Sequence, residues 1–413
     1  MRVRIHRGAH EVGGTCIEVE SSGSRIVLDV GRPLDAPRDE FVPLPDVTGL
    51  RDSDPSLLGL VISHGHQDHW GLIDQVSKNV PVYIGEAAHR VLKEAAFFAS
   101  GVVLKPAGFL RHRESFALGP FTITSFLNDH SAFDTYSLLI EADGRRLFYS
   151  ADLQGHGRKA GIFEEFVRKP PPSVDVLLME GTNLRLEGDP KSGRTEQEIE
   201  AGLIQTLKGT PGIVLAMYSA QNIDRLVTIF RACIQSGRYL VLDLYAASLA
   251  TATGNPNIPK AGFEKVLVYV PLRQRIQVKE SREFERVAGI KAVRIFPEEL
   301  AARAHELVLS FRASMMSEIE RARCLKGACA VWSMWPGYLE QPAQKRLLGF
   351  FERHGIALVT HHASGHAYLP DLQRLATAIA PGRLVPIHSF APGRFGEFFD
   401  NVQMYRDGDW WEV

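Results

Sequence analysis

Three histidines and an aspartate fall within six residues at His64-Gly65-His66-Gln67-Asp68-His69. The apolar run 58–62 before them reads as a strand that feeds a tight loop. Strand side chains repeat every two residues, so His64 and His66 point the same way. Asp68 and His69 follow the bend, where they can serve a second position. Imidazole with carboxylate is the donor set of zinc, manganese or iron. A chain with 15 histidines has many isolated ones, yet this spacing beside an acid marks a metal motif. A two-metal site needs more donors than the cluster carries.

Strand ends further along supply them. Residues 121–126 alternate and lead through Leu127 to His130, a run 146–150 delivers Asp152, and an apolar stretch 174–179 ends at Glu180. Open sheets present ligands at such ends. His130 is expected as a further ligand and Asp152 as the bridge, because one carboxylate can hold two cations and a neutral imidazole cannot. Asp29, at the end of the strand 25–28, can support the metal site from behind.

The 413 residues exceed one average domain, so two domains or one with an insertion are expected. Hydrophobic residues make up 45% and charged ones 23%, ordinary for a globular protein. Lys and Arg number 47 against 48 acids, a formal charge of -1. A polyanion would therefore be held by a local patch rather than by the overall field. Cys16, Cys233, Cys324 and Cys329 form no CxxC pair and read as free thiols of a reducing compartment. No apolar run approaches the roughly 18 residues of a membrane span. Met1-Arg2-Val3-Arg4 enters a strand pattern at once, so neither a signal peptide nor a membrane partner is expected. The expected location is cytoplasmic.

The elements that position these residues follow from periodicity. Residues 3–30 read as two or three strands, 71–76 as the first turns of a helix, 81–84 as a strand and 87–99 as a helix. Asp143-Gly144 turns a hairpin. After Glu180 the texture changes: a polar loop over 188–194, a helix capped by Thr195, then alternating strands (212–216, 239–243, 266–270, 328–332) and helices (222–235, 299–310, and one between 340 and 354). Residues 356–360 lead into His361-His362-Ala363-Ser364-Gly365-His366, and 383–387 into His388. Asp407-Gly408-Asp409 turns an end hairpin.

In that order, Asp29, the run from His64 to His69, His130 and Asp152 resemble the motifs of the metallo-beta-lactamase fold. Glu180, His366 in Ser364-Gly365-His366-Ala367 and His388 in Pro386-Ile387-His388 look like the three signatures of its beta-CASP subgroup, and the chain is most similar to the ribonuclease J branch. Histidine at the third signature resembles the RNA-processing members. The resemblance implies an α/β fold, an αβ/βα sandwich of two mixed sheets flanked by helices, with an inserted α/β beta-CASP domain. The first domain would cover 1–184, the insertion 185–357 and the closing part 358–413. It also implies that His64, His66 and His130 hold one ion, Asp68, His69 and His388 the other, and that Asp152 bridges them. Two departures accompany it. Ser389-Phe390-Ala391-Pro392 stands where ribonuclease J has a glycine-acid pair, and the chain is expected to lack that family's C-terminal domain, which aids dimerisation and RNA handling.

The expected chemistry is phosphodiester hydrolysis by a water activated between two divalent ions, zinc first and manganese second. Asp68 is the candidate proton acceptor, His366 the acid or phosphate partner, and Glu180 the group that orients ligands or water. Ser364, Gly365 and His366 are expected at a substrate phosphate, with backbone amides of the helix start beyond them. Ser219, Asn222 and Arg225 are expected to grip further phosphates, and Trp332, Trp335 and Tyr338 to stack a base. The expected partner is single-stranded RNA, with DNA as the other polymer and a homodimer as an assembly. The competing readings are a hydrolase of a small ester, thioester or lactone, and a non-catalytic RNA-binding descendant.

Overall fold

The computed structural model describes residues 1–37, 40–99, 101–185 and 193–413. The expected polar loop 188–194 lies outside the described residues up to 192. Two compact units emerge, one built from 1–93, 102–193 and 365–413, the other from 94–101 and 194–364.

The first unit is a sandwich of two mixed sheets. One sheet orders the strands Trp410–Glu412, Arg2–Arg7, Cys16–Ser21, Ser24–Leu28, Leu57–Val61, Val82–Gly85 and Gly108–Leu110. The other orders Arg383–Ile387, Val176–Glu180, Arg145–Tyr149, Tyr136–Ala142, Phe121–Leu127 and Ser115–Leu118. Alternation along the strands divides the apolar side chains into three layers. Ile17, Val19, Ile26, Leu28 and Val61 face Ile123, Leu138, Leu147, Tyr149 and Val176 between the sheets. Val27, Leu60, Ile62 and Ile84 point the other way, to Ala88 and Leu92 of the helix Glu86–Ala99. Phe148, Leu177 and Met179 pack on the helices Ala160–Arg168 and Leu369–Ile379 through Phe163, Phe166, Leu372 and Leu375. The result is the expected αβ/βα arrangement.

Strand direction fixes where the chemistry sits. Phe121–Leu127 and Arg145–Tyr149 both run antiparallel to the strand between them, and Arg145–Tyr149, Val176–Glu180 and Arg383–Ile387 run parallel. All four therefore end on one edge of the sheet, which brings His130, Asp152, Glu180 and His388 together.

The second unit holds a seven-stranded sheet, parallel throughout, ordered Arg294–Ile295, Val266–Tyr269, Tyr239–Asp243, Leu307–Ser310, Val214–Met217, Cys329–Trp332 and Ala357–Thr360. It is the extra α/β layer expected of a beta-CASP-like insertion. The region expected as a helix over 299–310 divides: Pro297–Ala302 is helical, and Leu307–Ser310 is a central strand. Three apolar residues and a serine, flanked by a strand on each side, are what a fully buried parallel strand looks like, with no alternation to reveal it. The boundary expected at 357/358 falls inside Ala357–Thr360, which pairs with Cys329–Trp332 and so stays in the second sheet. The last strand forms no end hairpin; it pairs antiparallel with Arg2–Arg7. Trp332, expected to stack a base, lies in the second core at 1% exposure. Among the described residues no helix is long and apolar enough to cross a membrane.

Candidate metal centre

The loop after Leu57–Val61 turns into a single helical turn, Gln67–Trp70, so Asp68 and His69 ride on the helix itself rather than before it. That turn is held by its carbonyls. Arg32, Thr15 and Val30 donate their amides to the carbonyls of Gln67, Asp68 and His69, at 2.9, 3.1 and 2.8 Å. Gly31 lies against them so closely that a Cβ there would stand 1.7 Å from the Asp68 carbonyl oxygen. Asp29 adopts the left-handed conformation, φ 60°, which aspartate tolerates better than most residues. Its carboxylate accepts from the Ser63 amide (2.7 Å), the Ser63 hydroxyl (2.7 Å) and the Tyr149 hydroxyl (2.6 Å), and stands 2.8 Å from His69 Nδ1.

Two groups of donors form around one carboxylate. His64, His66, His130 and Asp152 offer ligand atoms that all lie within 4.8 Å of one another, and so do Asp68, His69, Asp152 and His388. Tetrahedral ligands about 2.1 Å from a cation stand roughly 3.4 Å apart. Here His69 Nε2, His64 Nε2 and His130 Nε2 lie 3.2, 3.6 and 3.8 Å from Asp152 Oδ2. His130 Nε2 is 3.1 Å from His66 Nδ1, and His388 Nε2 is 3.3 Å from Asp68 Oδ2. The seven side chains expected as ligands are brought together.

The outward ring nitrogens are already spoken for. His64 Nδ1 meets the Ser63 hydroxyl at 3.0 Å, His69 Nδ1 meets Asp29, and His130 Nδ1–H donates to the Gly365 carbonyl at 2.6 Å. These contacts turn Nε2 of each ring inward, as histidine ligands require. Inside, His64 Nε2, His69 Nε2 and both Asp152 oxygens are buried and make no hydrogen bond. A buried carboxylate without hydrogen bonds is strongly disfavoured unless a cation meets it. The donors thus fit a pair of divalent ions.

Electrostatics agree. Burial, then the neighbouring imidazoles, holds His64 and His130 well below the usual 6.5, so both are neutral and ready to ligate. Burial would raise Asp152, but His388, His69 and His366 outweigh it and keep the carboxylate well below its usual range. Asp68 is likewise lowered against burial, chiefly by the hydrogen bond from His388. Burial would lower His69, yet Asp152 and Asp29 raise it well above 6.5. A cation entering that cluster would displace the His69 proton.

Glu180, His366 and His388 form a third group of close donors. Glu180 Oε1 accepts from the Leu153 and Ala367 amides and Oε2 from the Thr182 amide, which leaves it a scaffold for three loops. His366 Nδ1 lies 3.4 Å from Glu180 Oε2 and 3.8 Å from Asp152 Oδ2, with the side chain 19% exposed. Burial lowers its affinity for a proton, but Glu180 and Asp152 overcome this and raise its pKa to about 9, before any bound cation's charge is counted.

Other expected contacts are placed differently. Arg225 is fully buried, and its guanidinium donates to Glu196, to the Ser333 carbonyl and hydroxyl and to the carbonyls of His361 and Ala363. Its five N–H groups are spent on the second unit's own structure rather than aimed at a phosphate. The Asn222 side chain caps the helix Ile223–Ser236 by accepting from the Arg225 amide at 2.8 Å. Ser219 is exposed. The helix beyond Ser364 and Gly365 begins only at Leu369, so those two residues precede it rather than open it. Tyr149, which ends the strand Arg145–Tyr149, and Thr182, two residues past Val176–Glu180, touch Asp29 and His388; neither hydroxyl has a periodic signal in the sequence.

Residues 25–201 match the family model described as a beta-lactamase superfamily domain. Ribonuclease J of Mycobacterium tuberculosis (strain H37Rv) is 23% identical over 418 aligned positions, covering 94% of this chain and 68% of that protein. Ribonuclease J 1 of Streptococcus pyogenes is 21% identical, covering 92% of this chain and 67% of its own length. A protein of unknown function from Enterococcus faecalis V583 has the same fold, with a TM-score of 0.79 at 21% identity and 99% coverage of both chains. The chain has the metallo-beta-lactamase superfamily fold, with metal-binding clusters of the beta-CASP kind and a weak but consistent likeness to ribonuclease J.

Proposed function

We propose that this protein is a metal-dependent phosphodiester hydrolase whose substrate is single-stranded RNA. The observation that carries the reading is Asp152, a buried carboxylate without hydrogen bonds that belongs to both donor clusters. The two donor clusters would hold two divalent ions, which would supply hydroxide from water near neutral pH and offset charge on the phosphoryl oxygens. Zinc is the proposed ion, and manganese fits the same donors.

The chain's own side chains do the rest. Asp68 stays anionic and can accept a hydrogen bond from the attacking water, which orients it. His366, whose hold on a proton is strengthened by the carboxylates beside it, donates to the phosphoryl group or protonates the leaving oxygen. Glu180 holds that ring in place. Ser364 and Gly365, just before His366 in the chain, are proposed phosphate contacts. The ribonuclease J relatives support RNA over a small ester. Four buried free cysteines support a reducing, cytoplasmic setting.

The test is incubation of zinc- or manganese-loaded protein with end-labelled single-stranded RNA and DNA, each with a 5′ monophosphate or 5′ hydroxyl, beside a small ester. RNA cleavage that disappears in the His64→Ala, Asp68→Ala double variant is the expected result. Brisk ester hydrolysis with no turnover of any polynucleotide would overturn the reading.

A further inference from the structure

His388 is held in an unusual way. It follows the strand Arg383–Ile387 with φ 49°, a conformation that L side chains seldom adopt. Its amide donates to the Gly8 carbonyl at 2.7 Å, and its own carbonyl accepts from the Gly181 amide at 3.4 Å. The backbone is thereby pinned, and the ring is left to be oriented by whatever meets its nitrogens. Nε2 is 3.3 Å from Asp68 Oδ2. Nδ1 is 2.9 Å from the Thr182 hydroxyl and 3.7 Å from Asp152 Oδ1.

Thr182 is fixed in turn. Its amide donates to Glu180 Oε2 at 3.1 Å, two residues past the end of the strand Val176–Glu180. Its hydroxyl lies 3.4 Å from the His388 carbonyl as well as 2.9 Å from Nδ1. A hydroxyl carries one proton. Given to the carbonyl, that proton leaves an oxygen lone pair to accept from Nδ1–H, and Nε2 then keeps its lone pair for a cation held between it and Asp68. Given to Nδ1, it would force the ring proton onto Nε2, aimed at the donor cluster. Only the first arrangement makes His388 a ligand through Nε2.

We propose that Thr182 is a positioning residue: its hydroxyl selects the ring face and tautomer of His388, and so sets the affinity of the cluster of Asp68, His69, Asp152 and His388 alone. This rests on the two-cluster reading of the site. The first cluster takes its orienting contacts elsewhere, from Ser63 and the Gly365 carbonyl. Ser63 also lies 3.4 Å from His69 Nδ1 and so touches both clusters, whereas Thr182 meets a ligand of the second alone.

The test is metal binding rather than turnover. Chelator-stripped wild type, Thr182→Val and Thr182→Ser are titrated with zinc against a competing chromophoric chelator. Wild type and Thr182→Ser should bind two ions with similar constants. Thr182→Val should bind one ion like wild type and the other roughly 10–100-fold more weakly, the usual effect of removing a contact behind a metal ligand. Nitrogen NMR of zinc-loaded, histidine-labelled wild type tests the tautomer without any variant, and should show His388 protonated at Nδ1. Equal binding by wild type and Thr182→Val, equal weakening of both ions, or a proton on Nε2 would overturn the inference. A wild type that binds fewer than two ions would overturn the underlying reading of the site and this inference with it.

Discussion

His366 is the residue whose protonation state the surrounding charges decide. Glu180 and Asp152 raise it to about 9 against the effect of burial. A bound cation pushes the same group down, because positive charge disfavours a second positive charge. The rate should therefore fall as pH rises, along a limb at or below about 9. His366→Gln should abolish that limb, lower turnover by about 10²–10⁴-fold, and leave the zinc count unchanged; pH–rate profiles with metal analysis check all three. At this scale the sequence was informative where spacing carried the message. His64, His66, Asp68 and His69 declare themselves in six residues, and His130 and Asp152 do so as polar residues closing apolar strands. Arg225 was misread for a physical reason. Its partner Glu196 is 29 positions away, and nothing local separates a buried guanidinium from an exposed one. Asn222 looked like a phosphate contact and is a helix cap, the commoner use of asparagine at that position.

At the scale of elements, the segment 30–32 is a splint for the helical turn Gln67–Trp70. Gly31→Ala would place a Cβ 1.7 Å from the Asp68 carbonyl, so the turn must move. The expected outcome is destabilisation of about 3 kcal/mol or more and zinc binding that falls from two ions toward one, since Asp68 and His69 serve only the second cluster. Zinc titration with thermal unfolding checks it. In the second unit the Arg225–Glu196 pair joins the helix Glu196–Gly209 to the carbonyls that follow two strands. Arg225→Leu leaves the buried Glu196 carboxylate without its guanidinium and should cost about 3–5 kcal/mol. The Arg225→Leu, Glu196→Leu double variant should recover part of that in urea unfolding followed by circular dichroism. Elements with two-residue or helical periodicity were legible, as with Phe121–Leu127 and Glu86–Ala99. Leu307–Ser310 was not, because a strand buried on both faces shows no period and followed an alanine-rich helical stretch without a break.

For the whole molecule, 47 basic residues against 48 acidic ones leave no global field to draw in a polyanion. The proposed affinity for RNA must then come from a few local contacts, and its salt dependence should be shallow. The two sheets of the first unit were foreseeable through the resemblance that the ligand-bearing motifs carry. The limits of the second unit were not, since the histidine-bearing stretch after Ala357–Thr360 resembled a return to the first domain while the strand itself still paired with Cys329–Trp332. Metal should also stabilise the fold. At a free zinc concentration about 100 times the dissociation constant, each ion contributes roughly 2.7 kcal/mol, or roughly 5–10 °C in melting temperature. His64, His66 and His130 have folded pKa values below 6.5, so the unfolded chain takes up protons first. Stability should therefore fall as pH drops below about 6.5, and the difference between zinc-loaded and chelated protein should shrink over the same range in calorimetry.

The central claim is that seven side chains hold two divalent ions with Asp152 between them. Anomalous diffraction from zinc-loaded crystals tests it most directly. The expected map has two peaks about 3.5–4 Å apart, one among His64, His66 and His130, the other among Asp68, His69 and His388, with Asp152 touching both. A single peak, or two peaks that Asp152 does not join, would contradict the account.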